Sequence, residues 1–530
     1  MKHPTLGPDD LVHALTDGKE IAFLDVREEG EYGQSHPILA VNLPLGRLEI
    51  PVRDLLPRPS TRIAIADAGG GEAERAAELL DNLGYSDLAI LKGGLAAWNE
   101  AGLELYSGVN VLSKTFGEWV ERHFATPSLS AEELKAKLES GANLVILDSR
   151  PWAEYRNMNI PSGINVPGGE LVYRIKDMAP DPDTLVVVNC AGRTRSILGA
   201  QSLINSGLAN PVAALRNGTM GWHLAGLELE HGAEQSYGEV SQPALIWSRQ
   251  AAEHVADRFD VGAVDFATLE DWRADPDRTL YVLDVRSPEE YRKGHIAGSR
   301  PAPGGQLVQA TDDYIAVRNA RIVLVDDTGV RALMAASWLK QLGWTGCFVL
   351  QDGFQGTLET GPYVSEVPLA AACDPIWISA SDLKARLAGE DLTVIDVGPS
   401  PDYKNGHLPG AWWVARAKLG AAIGRLPEAD TYVISGADPY LPVLTASELS
   451  KMTDAMIMVL EGGTEAWRKA GFPLEEGGTN LTSEPADVFY RPYEHGGAVE
   501  NAMQGYLDWE LALLDQLARD TTLTFPRFGR

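Results

Sequence analysis

Three cysteines in 530 residues are too few for a disulfide framework or a Cys-rich zinc site. Basic residues are also short: 45 Lys plus Arg face 74 Asp plus Glu, a formal net charge of -29, so the overall field repels nucleic acid and anionic membranes. No apolar run is long enough to span a bilayer. The opening MKHPTLGPDDLVHALTDGKE lacks the basic-then-apolar pattern and small-residue cleavage site of a signal peptide. These absences predict a cytoplasmic protein with neither nucleic-acid nor membrane partners, in which any anion site is made locally. What is present, 45% hydrophobic and 22% charged residues, belongs to a folded chain whose length calls for several domains.

One pattern recurs four times. AFLDVREEGEY (22–32), VILDSRPWAEY (145–155), YVLDVRSPEEY (281–291) and TVIDVGPSPDY (393–403) each place an apolar strand before an Asp, with an Arg two residues on in three copies and an acidic residue with Tyr beyond. Asp25, Asp148, Asp284 and Asp396 anchor the copies at intervals of domain size. Each copy closes on a buried strand, a Gly turn and a helix, as in LAILKGGLAAWNEAGLEL (88–105), with Trp98, Trp222 or Trp467 packed inward and Gly102, Gly226 or Gly471 ending the helix. The third copy, FVLQDGFQGTLETGPY (348–363), keeps the turn and loses the Trp. Further apolar runs, each followed by a helical pattern, lie between head and tail. Strands alternating with helices predict an α/β fold with four tandem, doubly wound, mostly parallel sheets: domains 1–107, 128–231, 262–366 and 376–476, then a C-terminal helical extension over 477–530.

Ser130 with Glu133, and Thr268 with Asp271, have capping-box spacing. Phe116, Trp119, Val120 and Phe124 recur at helical spacing between the first two domains and predict docking across a boundary. Ala502, Tyr506, Trp509, Leu513 and Leu517 share one face of the C-terminal helix, suited to a domain edge or a homodimer contact.

Only the second copy is chemically armed. After VVVN the chain continues CAGRTRS, where the sequence equivalents of Cys190 are Asp67, Asp327 and Gly436. A β-branched strand turning through Ala191-Gly192 into a helix near Ser196 aims consecutive N–H groups at one concavity. A helix N-terminus with Arg193 and Arg195 adds positive potential, which predicts an unusually acidic Cys190 thiol. The other copies provide an internal control: Asp25 and Arg27, Asp284 and Arg286 repeat the offsets of Asp148 and Arg150 without a nucleophile, so Asp148 and Arg150 are expected to be structural supports. Cys347 lies on an expected core strand and Cys373 in a linker without basic neighbours.

The Asp-x-Arg head, the Cys-led loop and the Gly-Gly-x-x-x-Trp tail, repeated in order, resemble the rhodanese family of sulfurtransferases. The resemblance implies attack by Cys190 on the outer sulfur of thiosulfate or a similar donor, departure of sulfite, and a cysteine persulfide that a thiol or cyanide collects. It implies donor binding by Arg193 and Arg195 and a cradle for the terminal sulfur from Ala191, Gly192, Thr194 and Ser196. It implies neither a cofactor nor a metal. Glu154 departs from some thiosulfate enzymes of the family, which carry a basic substrate contact there. Two alternatives stay open: a persulfide carrier or sensor that docks a protein sulfur acceptor, and a phosphatase-like anion site, which the four residues between Cys190 and Arg195 fit poorly.

Overall fold

Every repeat builds the same sheet because each contains the same run of buried apolar strands. The computed structural model describes all residues except 1–2, 352, 355–357, 370–372, 390, 495–496 and 529–530. In the second repeat the strands are β1 (Ser128–Leu129), β2 (Leu144–Asp148), β3 (Ile164–Asn165), β4 (Leu185–Asn189) and β5 (Val212–Leu215). They lie in the order β1-β5-β4-β2-β3, all parallel, with Asp148 level with Asn189 and Val186 level with Val212. The other three repeats follow the same order. Val186, Val187 and Val188 are fully buried, as expected of strands with both faces covered. Strand order reverses between β2 and β4, and the crevice outside their carboxyl ends is where open α/β sheets bind ligands. Cys190 is the first residue past β4.

The repeats interlock. The short turn after the third strand carries paired glycines in repeats two and three, and Gly169 packs so closely on Gly305 that a Cβ on it would lie 3.0 Å from the Gly305 nitrogen. The corresponding turns of repeats one and four, Leu45–Arg47 and Arg416–Lys418, also meet, tied by Arg416 to Glu49 at 2.7 Å. Repeat three lends Val317–Arg318 to the first sheet, antiparallel to Ile21–Ala22. The repeats thus pair two with three and one with four, and a shared sheet joins one to three.

Three helices matter for the site, two of them outside the repeats. α1 (Val111–Phe124) packs against α2 (Thr194–Asn205), the helix entered from the Cys190 loop, and against α3 (Val499–Leu517). Phe116 and Val120 are fully buried there, matching the expected docking face. In α3 the buried stripe is Met503, Leu507, Glu510 and Leu513, a rotation from the face expected in the sequence, and it packs within the chain.

Two sequence expectations shift. Ser130 and Glu133 form the capping box. Thr268 does not cap: the helix begins at Phe266, and Asp265 accepts its amide hydrogen bond from Thr268 at 2.8 Å. The strand register aligns Val325 with Asp284 as it does Asn189 with Asp148, so the counterpart of Cys190 in repeat three is Asp326, not Asp327. The third copy's tail lies partly outside the described residues. Among the described residues no helix is long and apolar enough to cross a membrane.

Candidate active site

The head residues settle into one repeated bond. The Arg150 guanidinium donates to both Asp148 oxygens, at 2.8 and 2.6 Å, and to the Met158 carbonyl at 2.6 Å. Arg27 and Arg286 make the same contacts to Asp25 and Asp284 and to a carbonyl eight residues on. Three copies of one bond, two of them in repeats with no cysteine at the position of Cys190, are a strand-end brace.

The loop after the fourth strand is an amide cradle in every repeat. In repeat one, Asp67 fills it: its carboxylate accepts from the amides of Gly69, Glu72 and Ala73 at 2.8, 2.9 and 3.2 Å. In repeat three, Asp326 accepts from the amides of Gly329 and Arg331 at 2.6 and 3.0 Å. In repeat four, where Gly436 opens the loop, Asp438 takes the amides of Tyr440 and Leu441. Three repeats thus plug their own cradle with a carboxylate. Repeat two replaces the plug with Cys190.

The Gly turn of each tail explains itself at this point. Gly218 has φ +54°, and a Cβ on it would lie 2.2 Å from the Cys190 carbonyl oxygen. Gly94 and Gly463 press equally on Asp67 and Gly436. With no side chain there, the Thr219 and Met220 amides donate to the Cys190 and Ala191 carbonyls at 2.9 and 3.0 Å and fix the loop from below.

Cys190 is 2% exposed. Burial pushes its thiol up, against the opposing pull of Arg195 and of the Ser196 hydroxyl and amide, with Glu510 adding to the rise. The acidic thiol expected from the sequence is therefore not what the closed loop holds, because desolvation outweighs the cationic field.

The two arginines have different fates. Arg193, expected to bind a donor, turns away: it donates to both Glu118 oxygens, at 2.6 and 2.8 Å, and also pairs with Glu121, fastening the loop to α1. Arg195 stays at the crevice, forked onto Glu154 at 2.9 and 2.8 Å with its side chain 16% exposed. Burial tends to raise the Glu154 carboxyl, but Arg195 prevails and holds it below its ordinary range. Repeat three pairs the corresponding residues through a single bond, Arg331 to Glu290 at 2.8 Å. There Asp326 and Asp327 also occupy the guanidinium. Among the loop residues, Ala191 and Arg195 line a cleft of about 930 Å³. Its other walls include Glu29 of repeat one, Gln306 of repeat three, Lys404 of repeat four and Arg491 and Tyr506 of the extension.

The sequence reading missed Glu118, Glu121 and Glu510. Their signal was a carboxylate inside an apolar helical stripe: Glu118 falls between Phe116 and Val120, and Glu510 between Leu507 and Leu513. Such an acid needs a buried partner: Glu118 finds Arg193 of the Cys190 loop, and Glu510 accepts from Tyr506 one turn earlier in its own helix and from Thr194 of the loop.

Four parallel α/β units, each with an amide-lined loop after its fourth strand and one with a cysteine at the head of that loop, define a class of tandemly repeated α/β domain. The Rhodanese-like domain model matches residues 8–101, 130–225, 265–360 and 379–470, well over half of the chain, which belongs to the rhodanese family. A crystal structure of a thiosulfate sulfurtransferase from Pseudomonas aeruginosa is 48% identical, with a TM-score of 0.95 over 99% of this chain and 100% of that one. The thiosulfate sulfurtransferase GlpE of Pseudomonas paraeruginosa is 34% identical over 76 residues, 14% of this chain and 66% of the relative. The HTH-type transcriptional regulator Rv0324 of Mycobacterium tuberculosis is 30% identical over 112 residues, 21% of this chain and 48% of the relative. The putative sulfur carrier protein YrkF of Bacillus subtilis is 29% identical over 117 residues, 22% of this chain and 60% of the relative. The match thus spans about half to two thirds of these curated relatives.

Proposed function

We propose that the chain is a cytoplasmic rhodanese-type sulfurtransferase in which Cys190 carries the sulfur. The observation behind this reading is the substitution of a thiol for a carboxylate plug. The loop amides that Asp67 and Asp326 satisfy in their own repeats are, around Cys190, left for an anion that arrives from outside. Cys190 as thiolate attacks the outer sulfur of thiosulfate; the new S–S bond forms as the S–SO₃ bond breaks, and sulfite departs with the electron pair. The terminal sulfur of the persulfide then takes the place of the carboxylate oxygens, facing the amides of Gly192 to Ser196. Arg195 is the cation that remains at the crevice for the dianionic donor. Arg193 shapes the loop.

A cleft of about 930 Å³ far exceeds what cyanide fills and matches the size of sites for organic ligands. An organic thiol, free or presented by a protein, is therefore the favoured acceptor. Intact-mass measurement after incubation with thiosulfate, mercaptopyruvate or polysulfide tests the reading: one sulfur added to the wild type and none to Cys190→Ser supports it. No adduct from any of the three donors overturns it.

A further inference from the structure

The carboxylate that repeats one and three keep inside the loop reappears in repeat two from elsewhere in the chain. Glu510 of α3 is 2% exposed and lies over the Cys190 loop. Its Oε1 accepts from the Tyr506 hydroxyl at 3.2 Å and the Thr194 hydroxyl at 3.4 Å. Its Oε2 is buried with no hydrogen-bond partner among the described residues, and a Cβ on Gly192 would come within 3.1 Å of it. Gly192 thus leaves this oxygen its approach to the loop.

The charged groups around it are spent elsewhere. From α1, Lys114 donates to the Val109 carbonyl at 2.6 Å and rests over the Tyr506 and Trp509 rings at 5.2 and 5.1 Å. Glu118, also on α1, is held by Arg193 of the loop. Tyr506 of α3 donates its hydroxyl, and Cys190 and Arg195 complete the surroundings from the loop. No ion pair to Glu510 occurs among the described residues. A buried carboxyl with a free oxygen, no contacting cation and a thiol on the loop beneath it is placed to exchange a proton.

We infer that Glu510 is the proton acceptor for the Cys190 loop, the two side chains sharing one proton and one negative charge. Two anions in one desolvated site repel, so the pair exists either as thiol with carboxylate or as thiolate with carboxylic acid. Cys190 Sγ and Glu510 Oε2 are not in hydrogen-bond contact, so the proton passes from sulfur to carboxylate through one water; sulfur attacks the donor, and sulfite departing with its electron pair takes the proton up from Glu510 by the same route. Burial pushes the Glu510 carboxyl up to about 7, Glu118 in the same sense and Lys114 and Arg193 against it, which suits a base working near neutrality. The inference rests on Cys190 being the nucleophile. It also gives the C-terminal extension, which lies outside the repeats, a chemical task.

The test combines two measurements on the full chain. Ultraviolet thiolate absorbance, taken against Cys190→Ser, titrates Cys190 without any sulfur donor, and rapid-quench mass analysis with thiosulfate gives the rate of persulfide formation against pH. Glu510→Gln is expected to slow persulfide formation by about 10² to 10⁴-fold and to abolish the limb near pH 7, with Glu510→Asp restoring the limb at reduced rate. Tyr506→Phe, which removes a hydrogen bond that favours the carboxylate, is expected to move the limb to higher pH, and serves where the Gln variant fails to fold. If Glu510 acts only as a repelling charge, Glu510→Gln forms the thiolate at lower pH and reacts as fast as wild type or faster, which overturns the inference, as does an unmoved limb in Tyr506→Phe. Absence of persulfide in the wild type would refute the sulfurtransferase reading instead, while the absorbance titration still reports on proton sharing.

Discussion

Arg193→Ala separates the two meanings of an arginine beside the Cys190 thiol. Arg193 is 5% exposed and Glu118 3%, and the forked bond between them is the main tie from the loop to α1. Removing the guanidinium strands a buried carboxylate, a change that costs about 3 to 5 kcal/mol. At roughly 1.4 kcal/mol per tenfold, local opening of α1 should become about a hundredfold to a few thousandfold more frequent. Hydrogen–deuterium exchange resolved to residues 111–124 and 190–205 measures this without assuming that four interlocked repeats unfold in one step. The sign with pH follows from Glu118, whose carboxyl burial raises and Arg193 now opposes. Without Arg193 its folded pKa lies further above the unfolded value near 4.3, so the native state binds the extra proton. The deficit is then full above the folded pKa and shrinks as pH falls toward 4.3, by about 1.4 kcal/mol per unit. Arg193→Met with Glu118→Leu, which leaves no stranded charge, should recover most of the protection. Unchanged exchange in Arg193→Ala together with a raised KM for the donor would refute the reasoning and return Arg193 to donor binding.

Arg195→Ala should move the Cys190 titration upward and slow persulfide formation by about 10² to 10³-fold, and Arg195→Lys should not rescue it, because the fork onto Glu154 needs a planar guanidinium; an unmoved titration would count against this role. Gly218→Ala forces a Cβ toward the Cys190 carbonyl at a positive φ and should cost about 1 to 3 kcal/mol with faster exchange at 190–196, whereas Gly226→Ala, with open space around it, should leave that exchange unchanged. His36, stacked on Tyr32 at 3.7 Å, is buried neutral, its pKa driven down to about 3 by burial. The unfolded chain protonates first, so stability is complete above about 6.5 and declines by about 1.4 kcal/mol per unit toward pH 3. His36→Asn, which installs the residue found at Asn159 in repeat two, should flatten that acid limb in melting experiments.

The four sheets were legible because their central strands are buried on both faces, which writes continuous apolar runs such as VVVN and IVLV into the chain. The brace of Asp148 and Arg150 was legible because copies without a nucleophile repeat it. The purpose of Arg193 was not: charge near a cysteine looks the same in sequence whether it faces a donor or a buried glutamate 75 residues away. Thiol acidity was misjudged for a related reason, since residue order records the cations around Cys190 but not the lid that removes water from it. Asp326 was displaced by one because two aspartates stand side by side and only strand register chooses between them. Glu510 lies 316 residues from its loop partner Thr194, a distance over which no local pattern carries information.

The borrowed strand Val317–Arg318 and the late helix α3 set an order of assembly. A chain made from its N-terminus cannot complete its first sheet until residue 318 has emerged, and cannot cover Cys190 until residue 510 has, so intermediates with an open edge and an uncovered thiol precede the finished fold. Cys190 is covered only after every repeat has been made. A chain truncated before its final helix would therefore keep Cys190 and lose control over what reaches it.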